Sequence, residues 1–294
     1  MVGVAVASLV VNVLIVVTGG AVRLTGSGLG CPTWPPCSSG HFVATREQGI
    51  HGLVENSNRA LTTVLLVVAL ATIAVTWRRR PRRPVLFHLA LALLVGIAAQ
   101  AVLGGVTVLT GLNPGTVMAH FLVSMVLIAV ATVLVERSRE GDGPPVEVVR
   151  HELVLGGRLV VAVTAGLLVA GTVVTGSGPH SGDADVTNRF PFELSTVAQL
   201  HADLVFLLLG LVATLILALR AVDAPGRPTR RVLDLLVVAL AQGAIGYVQY
   251  FTKLPVVLVG FHVLGACLVW VAALRVPLGM RIREDGSRDF HAAG

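Results

Sequence analysis

Three histidines lie inside long apolar stretches of the sequence, at His120, His201 and His262. Each is expected about one turn inside the same end of its stretch. Ionisable side chains in such segments are rare and usually face the interior of a helix bundle, where they serve as ligands, proton carriers or substrate contacts. Two imidazoles from facing helices can hold one haem iron from both sides, an arrangement that suits electron transfer. For any one of the three alone, a neutral histidine hydrogen-bonded between helices is the alternative.

The pair His201 and His262 favours haem iron over zinc. A zinc site prefers a third and a fourth nitrogen, sulfur or carboxylate ligand, and the sequence offers none close to this pair.

Two cysteines, Cys31 and Cys37, lie in a loop rich in glycine and proline between the first two apolar stretches. Outside the cytoplasm such a pair forms either a structural disulfide or an exchangeable dithiol, and its spacing favours the structural disulfide. The third cysteine, Cys267, lies within the last apolar stretch and is expected to be a packed core thiol.

A carboxylate, Glu55, stands three residues before Asn58 and four before Arg59, at the entrance to the second apolar stretch. Residues three apart share a helix face, so Glu55 is a candidate for proton transfer beside a haem. Two alternatives stay open: Glu55 lies in the first helical turn, where it favours the helix dipole, or it forms an ion pair with Arg59.

The composition requires these side chains to be positioned by membrane helices. Of 294 residues, 54% are hydrophobic and 13% are charged, and the mean hydropathy is +0.83. A membrane-spanning helix needs about 20 apolar residues. The sequence predicts an all-α membrane protein with eight such helices, at residues 2–22, 60–76, 85–109, 116–135, 153–175, 196–219, 232–251 and 256–274. The first segment lacks the basic region and cleavage site of a signal peptide and is interpreted as a span.

The basic residues predict the orientation. Seventeen of the 22 follow the second, fourth, sixth or eighth span, and positive charge near helix ends is retained in the cytoplasm. We therefore expect a multi-pass protein of the cell (inner or plasma) membrane with both termini cytoplasmic and the lipid bilayer as its surroundings. The same division among short loops argues against a nucleic-acid partner, which would need these charges on one folded face.

The two halves of the sequence resemble each other. Residues 19–28 and 171–178 both end in Thr-Gly-Ser-Gly, residues 100–104 and 242–246 both follow the pattern Gln-x-x-x-Gly, and a phenylalanine adjoins both His120 and His262. These matches predict one four-helix unit used twice, over residues 1–140 and 141–294, with a pseudo-two-fold axis along the membrane normal.

The repeat is broken where His201 has Asn58 as its counterpart in the first half. A haem in that half would be held by His120 alone, unless His51 or His41 supplies a second nitrogen. An open iron position suits oxygen chemistry. The alternative is that Asn58 simply caps the second helix.

These motifs resemble haem A synthase of the CtaA type, in an actinobacterial-like variant. The distinctive stretch is Gly-Gly-x-Val-Arg-Leu-Thr-Gly-Ser-Gly-Leu-x-Cys-Pro-x-Trp-Pro-x-Cys at residues 19–37, which contains Arg23. The pair Glu55 and Arg59, the Pro-Gly-x-x-x-x-His of residues 114–120 and the later histidines extend the resemblance over almost the whole chain.

The resemblance implies a function for each half. A ring methyl group of haem O, the substrate, would be oxidised through successive hydroxylations to the formyl group of haem A. The second half would hold haem b through His201 and His262 as an electron relay, and the first half would hold haem O through His120, with Glu55 catalytic and Arg23, Asn58 and Arg59 as possible site residues. Many members have histidine at the position of Asn58.

Further expectations from the resemblance concern the outer loop and the partners. Cys31 and Cys37 would form a loop disulfide that helps to hold or transfer the incoming haem. A haem O synthase is the expected partner, with a homo-oligomer as a further possibility; the electron donor is not identified.

Three other classes of protein explain fewer residues. A b-type cytochrome that passes electrons from quinol to a partner would use His201 and His262 but not the cysteine loop or Glu55. A quinone-linked thiol oxidase needs a second mobile cysteine pair, and a transporter built on parallel repeats would show helix breaks near mid-span.

Overall fold

The computed structural model describes residues 1–38 and 40–283. Within them, eight α-helices form the fold: α1 (Val2–Leu24), α2 (Gly49–Arg78), α3 (Pro84–Leu109), α4 (Pro114–Ser138), α5 (His151–Ser177), α6 (Leu194–Ala221), α7 (Gly226–Phe251) and α8 (Val256–Gly279). A short 3-10 helix (Arg46–Gln48) precedes α2, and two strands, β1 (Pro145–Glu147) and β2 (Arg281–Arg283), pair antiparallel. All eight helices are long and apolar enough to cross a bilayer, which confirms the predicted all-α membrane fold.

Several helices begin earlier than their apolar stretches, because polar residues form their first turns. The Asn113 side chain accepts a hydrogen bond from the Gly115 N–H at the start of α4. At the start of α6, the Glu193 side chain accepts hydrogen bonds from the N–H groups of Ser195 and Thr196. Hydrogen bonds from these two residues lower the pKa of the exposed Glu193 carboxyl group to about 2. Hydropathy does not detect such capped turns.

Because α4 and α6 begin two residues before their predicted stretches, His120 and His201 lie deeper in their helices than the sequence suggested, whereas α8 begins at the predicted residue. His120, His201 and His262 stand six or seven residues after the first residues of α4, α6 and α8, which is nearly two turns instead of one. The helix ends nearest to these histidines are called the outer ends below.

The helices pack as two groups of four. In the first group α1 contacts α2 and α4, and α3 contacts the same two helices; α5 to α8 repeat this pattern. The groups meet through α1 with α8, α4 with α5, and α4 with α8. Exchanging α1 with α5 and α4 with α8 leaves this set of contacts unchanged, as a two-fold relation requires. The division at residue 140 stays a prediction.

Apolar packing and one buried hydrogen bond join the two groups in the middle of the structure. Val16, Ile128 and Cys267 belong to a cluster contributed by α1, α4 and α8. Within it the Trp270 indole N–H donates to the Met125 carbonyl over 2.8 Å. Cys267 is completely buried, so its predicted role as a packed thiol is confirmed.

At the end opposite the histidines, buried ion pairs join the groups. The Glu136 carboxylate of α4 lies 3.0 Å from Arg231 of α7 and 2.9 Å from Arg275 of α8. Its side chain is 2% exposed. Removing one partner of a buried pair costs about 3–5 kcal/mol because a charge is left uncompensated. This cluster therefore fixes the two groups to each other at the arginine-rich end.

Candidate functional site

His201 of α6 and His262 of α8 face each other in the interior of the second group. Their ring centres are 6.5 Å apart and the ring planes are inclined by 61°. Two metal–imidazole bonds of about 2.0–2.1 Å, with about 1.1 Å from each nitrogen to its ring centre, require about 6.3 Å between the centres. The pair is therefore spaced to hold one metal ion between its rings.

A glycine on the neighbouring helix makes room for each histidine ring. A β-carbon added at Gly171 would lie 3.1 Å from Cε1 of His201, and one added at Gly246 would lie 3.3 Å from Cε1 of His262. The first group repeats this contact, since a β-carbon at Gly104 would lie 3.2 Å from Cε1 of His120. These three distances are tighter than ordinary packing, so a side chain at these glycines would displace the ring.

The histidine rings have unused hydrogen-bonding capacity. Among the described residues, the buried Nδ1 atoms of His120, His201 and His262 have no hydrogen-bond partner. The Leu167 backbone is near the His201 ring but does not meet the geometry of a hydrogen bond with Nδ1. Two of the three histidines are held through their backbone carbonyls. Gln100 donates to the His120 carbonyl over 2.9 Å, and Gln242 donates to the His262 carbonyl over 2.8 Å.

These observations favour a haem group over a simple metal ion. Among the described residues, no cluster of three or more histidine, cysteine, aspartate or glutamate side chains is placed to hold a metal ion. A haem supplies four of the iron ligands itself and needs only axial imidazoles from the protein. The rings and the small residues behind them fit that requirement.

Asn58 occupies, in the first group, the position that His201 occupies in the second. A β-carbon added at Gly19 would lie 3.9 Å from the Asn58 amide nitrogen, which repeats the relation between Gly171 and His201. Thr18 donates a hydrogen bond of 2.7 Å to the Asn58 side-chain oxygen. The alternative that Asn58 caps α2 is wrong, because the helix begins nine residues earlier at Gly49.

Glu55 and Arg59 of α2 hold the cysteine loop. Both carboxylate oxygens of Glu55 are engaged: Oε1 accepts from Arg59 over 2.6 Å, and Oε2 accepts from the Cys31 N–H over 2.6 Å. Arg59 also donates to the carbonyls of Cys31 and Thr33. The Glu55 side chain is therefore buried in an ion pair, beyond the first turn of α2, and the first-turn alternative is wrong.

The predicted disulfide between Cys31 and Cys37 is confirmed. Both cysteines are completely buried. Trp34 of the same loop packs directly on Gly105 of α3, the residue that follows the glycine facing His120. The loop therefore closes the outer end of the first group, next to the His120 position.

This arrangement predicts the thiol content of the purified protein. After denaturation without reductant, a thiol-specific reagent should modify one cysteine per chain, Cys267, whereas prior reduction should raise the number to three. Intact-mass spectrometry reads both numbers, and Cys267→Ala, which should give zero and two, serves as the control. Three modified cysteines without reduction would show that the bond is absent.

The other candidates from the sequence make contacts that do not involve the three membrane histidines. Arg23 donates to the carbonyls of Thr175 and His180 and so ties α1 to the second group. The Nδ1 atom of His51 is 2.9 Å from the Ser27 hydroxyl, and His41 is exposed on the cysteine loop.

Several residues that pack against the histidines or against Asn58 were not predicted from the sequence. Thr18, Gly19 and Gly171 were not recognised as site residues, although Gly19 and Gly171 lie in matching repeat segments. The repeated Gln-x-x-x-Gly pattern was the available signal for the glycines at Gly104 and Gly246.

Comparison with known families agrees with this geometry. The sequence model of the COX15-CtaA family, described as cytochrome oxidase assembly protein, matches residues 3–274. The chain belongs to the COX15-CtaA family. The match includes all three membrane histidines, Asn58 and the disulfide loop.

Curated relatives share shorter segments with this member of the COX15-CtaA family. The chain is 28% identical over 138 residues to "Heme A synthase" of Geobacillus kaustophilus, covering 47% of this chain and 43% of that protein. It is 34% identical over 119 residues to "Heme A synthase" of Bacillus pumilus, covering 40% of this chain and 38% of that protein. The matches thus span less than half of these relatives.

Proposed function

We propose that this protein is a haem A synthase, which oxidises a ring methyl group of haem O to the formyl group of haem A. The observation that carries the proposal is the spacing of His201 and His262, which fits one iron between two imidazoles, combined with a second site in which only His120 is retained. Membership of the COX15-CtaA family and similarity to relatives named "Heme A synthase" support it.

In this proposal the two groups of helices have different roles. His201 and His262 would hold haem b, which when bound supplies electron relay. His120 would hold the iron of haem O, and Asn58 would supply no second imidazole. The cysteine loop would exclude water from the outer end of this site, where Glu55 would handle protons.

The sidedness and the partners also belong to the proposal. The arginine-rich helix ends and both termini would be cytoplasmic, so the disulfide loop would face the oxidising side. A haem O synthase would deliver the substrate, and the protein would assemble as a homo-oligomer.

Pigment analysis tests the function. The purified protein is incubated with haem O, oxygen and a reductant, and the extracted haems are separated and identified by mass. Haem b together with newly formed haem A is the expected result. Haem b alone, with haem O unchanged, would contradict the synthase and favour a b-type cytochrome.

The break at Asn58 predicts two iron spin states. With haem O bound through His120 alone, the first site should be mainly high-spin, whereas the second should be low-spin. Asn58→His should convert the high-spin signal to low-spin, because Gly19 leaves room for the larger ring. Electron paramagnetic resonance of the oxidised protein measures both populations.

The reverse change in the second site is the matched control. His201→Asn should turn the low-spin haem b signal high-spin while the first site is unaffected. Low-spin signals alone in the unmutated protein would show that another ligand, His51 first among them, binds the substrate iron.

A further inference from the structure

A cavity of about 520 Å³ opens at the outer end of the second group, between α5, α6 and the turn that joins α7 to α8. Its wall is mainly apolar, but two cationic side chains, Arg189 and Lys253, also line it. None of the site residues described above lies in this wall.

The cavity lies one helical turn outward from the histidine pair. Ala198 in its wall precedes His201 by three residues on α6. Tyr250 in its wall follows Gly246, the glycine against His262, by four residues on α7. Residues three or four apart share a helix face, so the cavity lies on the same faces of α6 and α7 as the imidazole pair, one turn nearer the outer surface.

The two cations of the cavity have no acidic partner among the described residues. The Arg189 guanidinium donates only to backbone carbonyls, those of Pro179, Val186 and Asn188. No salt bridge or side-chain hydrogen bond of Lys253 occurs in the described part of the chain. The cavity therefore carries uncompensated positive charge.

The repeat shows that this charge is particular to the second half. Lys253 has a positive φ of 64°, and its counterpart in the turn between α3 and α4 is Gly111, with φ of 62°. Such a conformation favours glycine over lysine. Ala198, in turn, is the counterpart of Glu55. The Glu55–Arg59 ion pair of the first half is thus replaced by Ala198 and Ala202 in the second, and Lys253 adds a cation where the first half has a glycine.

We propose that this cavity binds the carboxylate-bearing edge of the tetrapyrrole whose iron would lie between His201 and His262. Lys253 would pair with one carboxylate, and Arg189 would add positive charge beside the second. The apolar wall would contact the adjoining ring edge. The inference rests on the proposed haem b site and adds to it the residues that set the orientation of the haem.

The test compares haem b with its dimethyl ester in the unmutated protein and in Lys253→Gln. Release of each haem to an excess of a soluble haem-free acceptor protein is followed by absorbance. For haem b, the variant should release about three times faster, the effect of losing one partly exposed ion pair. For the dimethyl ester, which has no charged carboxylates, the two proteins should release at the same rate.

Two further variants exclude a change in folding as the cause. Lys253→Arg keeps the charge and should release haem b at the unmutated rate. Lys253→Gly removes the charge but relaxes the turn, so faster release by this variant cannot be assigned to backbone strain.

Other results would overturn the proposal. If the unmutated protein and Lys253→Gln release haem b at equal rates and both show a normal low-spin spectrum, the carboxylate site is rejected while the haem b site is retained. An effect that depends on phosphatidylglycerol in the surrounding vesicles, and not on esterification, would assign the cations to lipid headgroups. A protein that binds no low-spin haem at all would reject the proposed function as well.

Discussion

Alanine at His262 or at His201 is expected to abolish the low-spin haem b spectrum while the protein still inserts in the membrane. Each change removes one of two imidazoles whose ring centres are 6.5 Å apart, and a bis-imidazole iron cannot form with one ring. The measurement is the absorbance and electron paramagnetic resonance spectrum of the purified variants.

Two controls separate ligation from folding. His88→Ala changes an exposed histidine of α3 and should leave the spectrum intact. Added imidazole should restore a low-spin signal in His262→Ala, because the glycine at 246 leaves a ring-sized space. A normal spectrum in both alanine variants would reject the proposed haem b site.

Glu55→Gln is expected to lower the rate of haem A formation by about 100-fold or more, the lower range for loss of a general acid or base. Haem content should remain normal. The amide keeps the shape of the carboxylate but cannot transfer its proton. Chromatography of the haems after a single incubation measures haem O, hydroxylated products and haem A.

The ion pair with Arg59 requires a control for loop structure. Arg59→Gln leaves the carboxylate of Glu55 but removes its 2.6 Å ion pair. If proton transfer is the role of Glu55, Arg59→Gln should keep more activity than Glu55→Gln. If Glu55 only anchors the disulfide loop, both variants should lose activity equally and both should become sensitive to proteolysis between residues 31 and 37.

The sequence predicted the helices well because apolar length is a local property. It did not predict where α2 begins, because the polar turns from Gly49 onward carry no hydropathy signal. That error also produced the wrong alternative for Asn58, which lies well inside the helix instead of at its cap.

Only the site residues at matching positions of the sequence repeat could be predicted. The sequence repeat alone pairs His201 with Asn58 and His262 with His120, because matching positions in two copies of a unit occupy matching places. The ion pair of Glu55 with Arg59, one of the two alternatives left open by the sequence, is confirmed, but the second partner of Glu55 was harder to predict. Its contact with the Cys31 N–H joins residues 24 positions apart, and such a contact depends on how the loop folds back onto α2.

The glycine opposite Asn58 has a consequence for how this protein can change over generations. Gly19 preserves clearance beside a side chain that is not an imidazole, so the backbone of the first half already accepts a histidine. Asparagine and histidine codons differ by one base. A lineage can therefore gain or lose the second ligand by a point mutation, without rebuilding any helix, and the two halves can diverge in chemistry while their main chains stay alike.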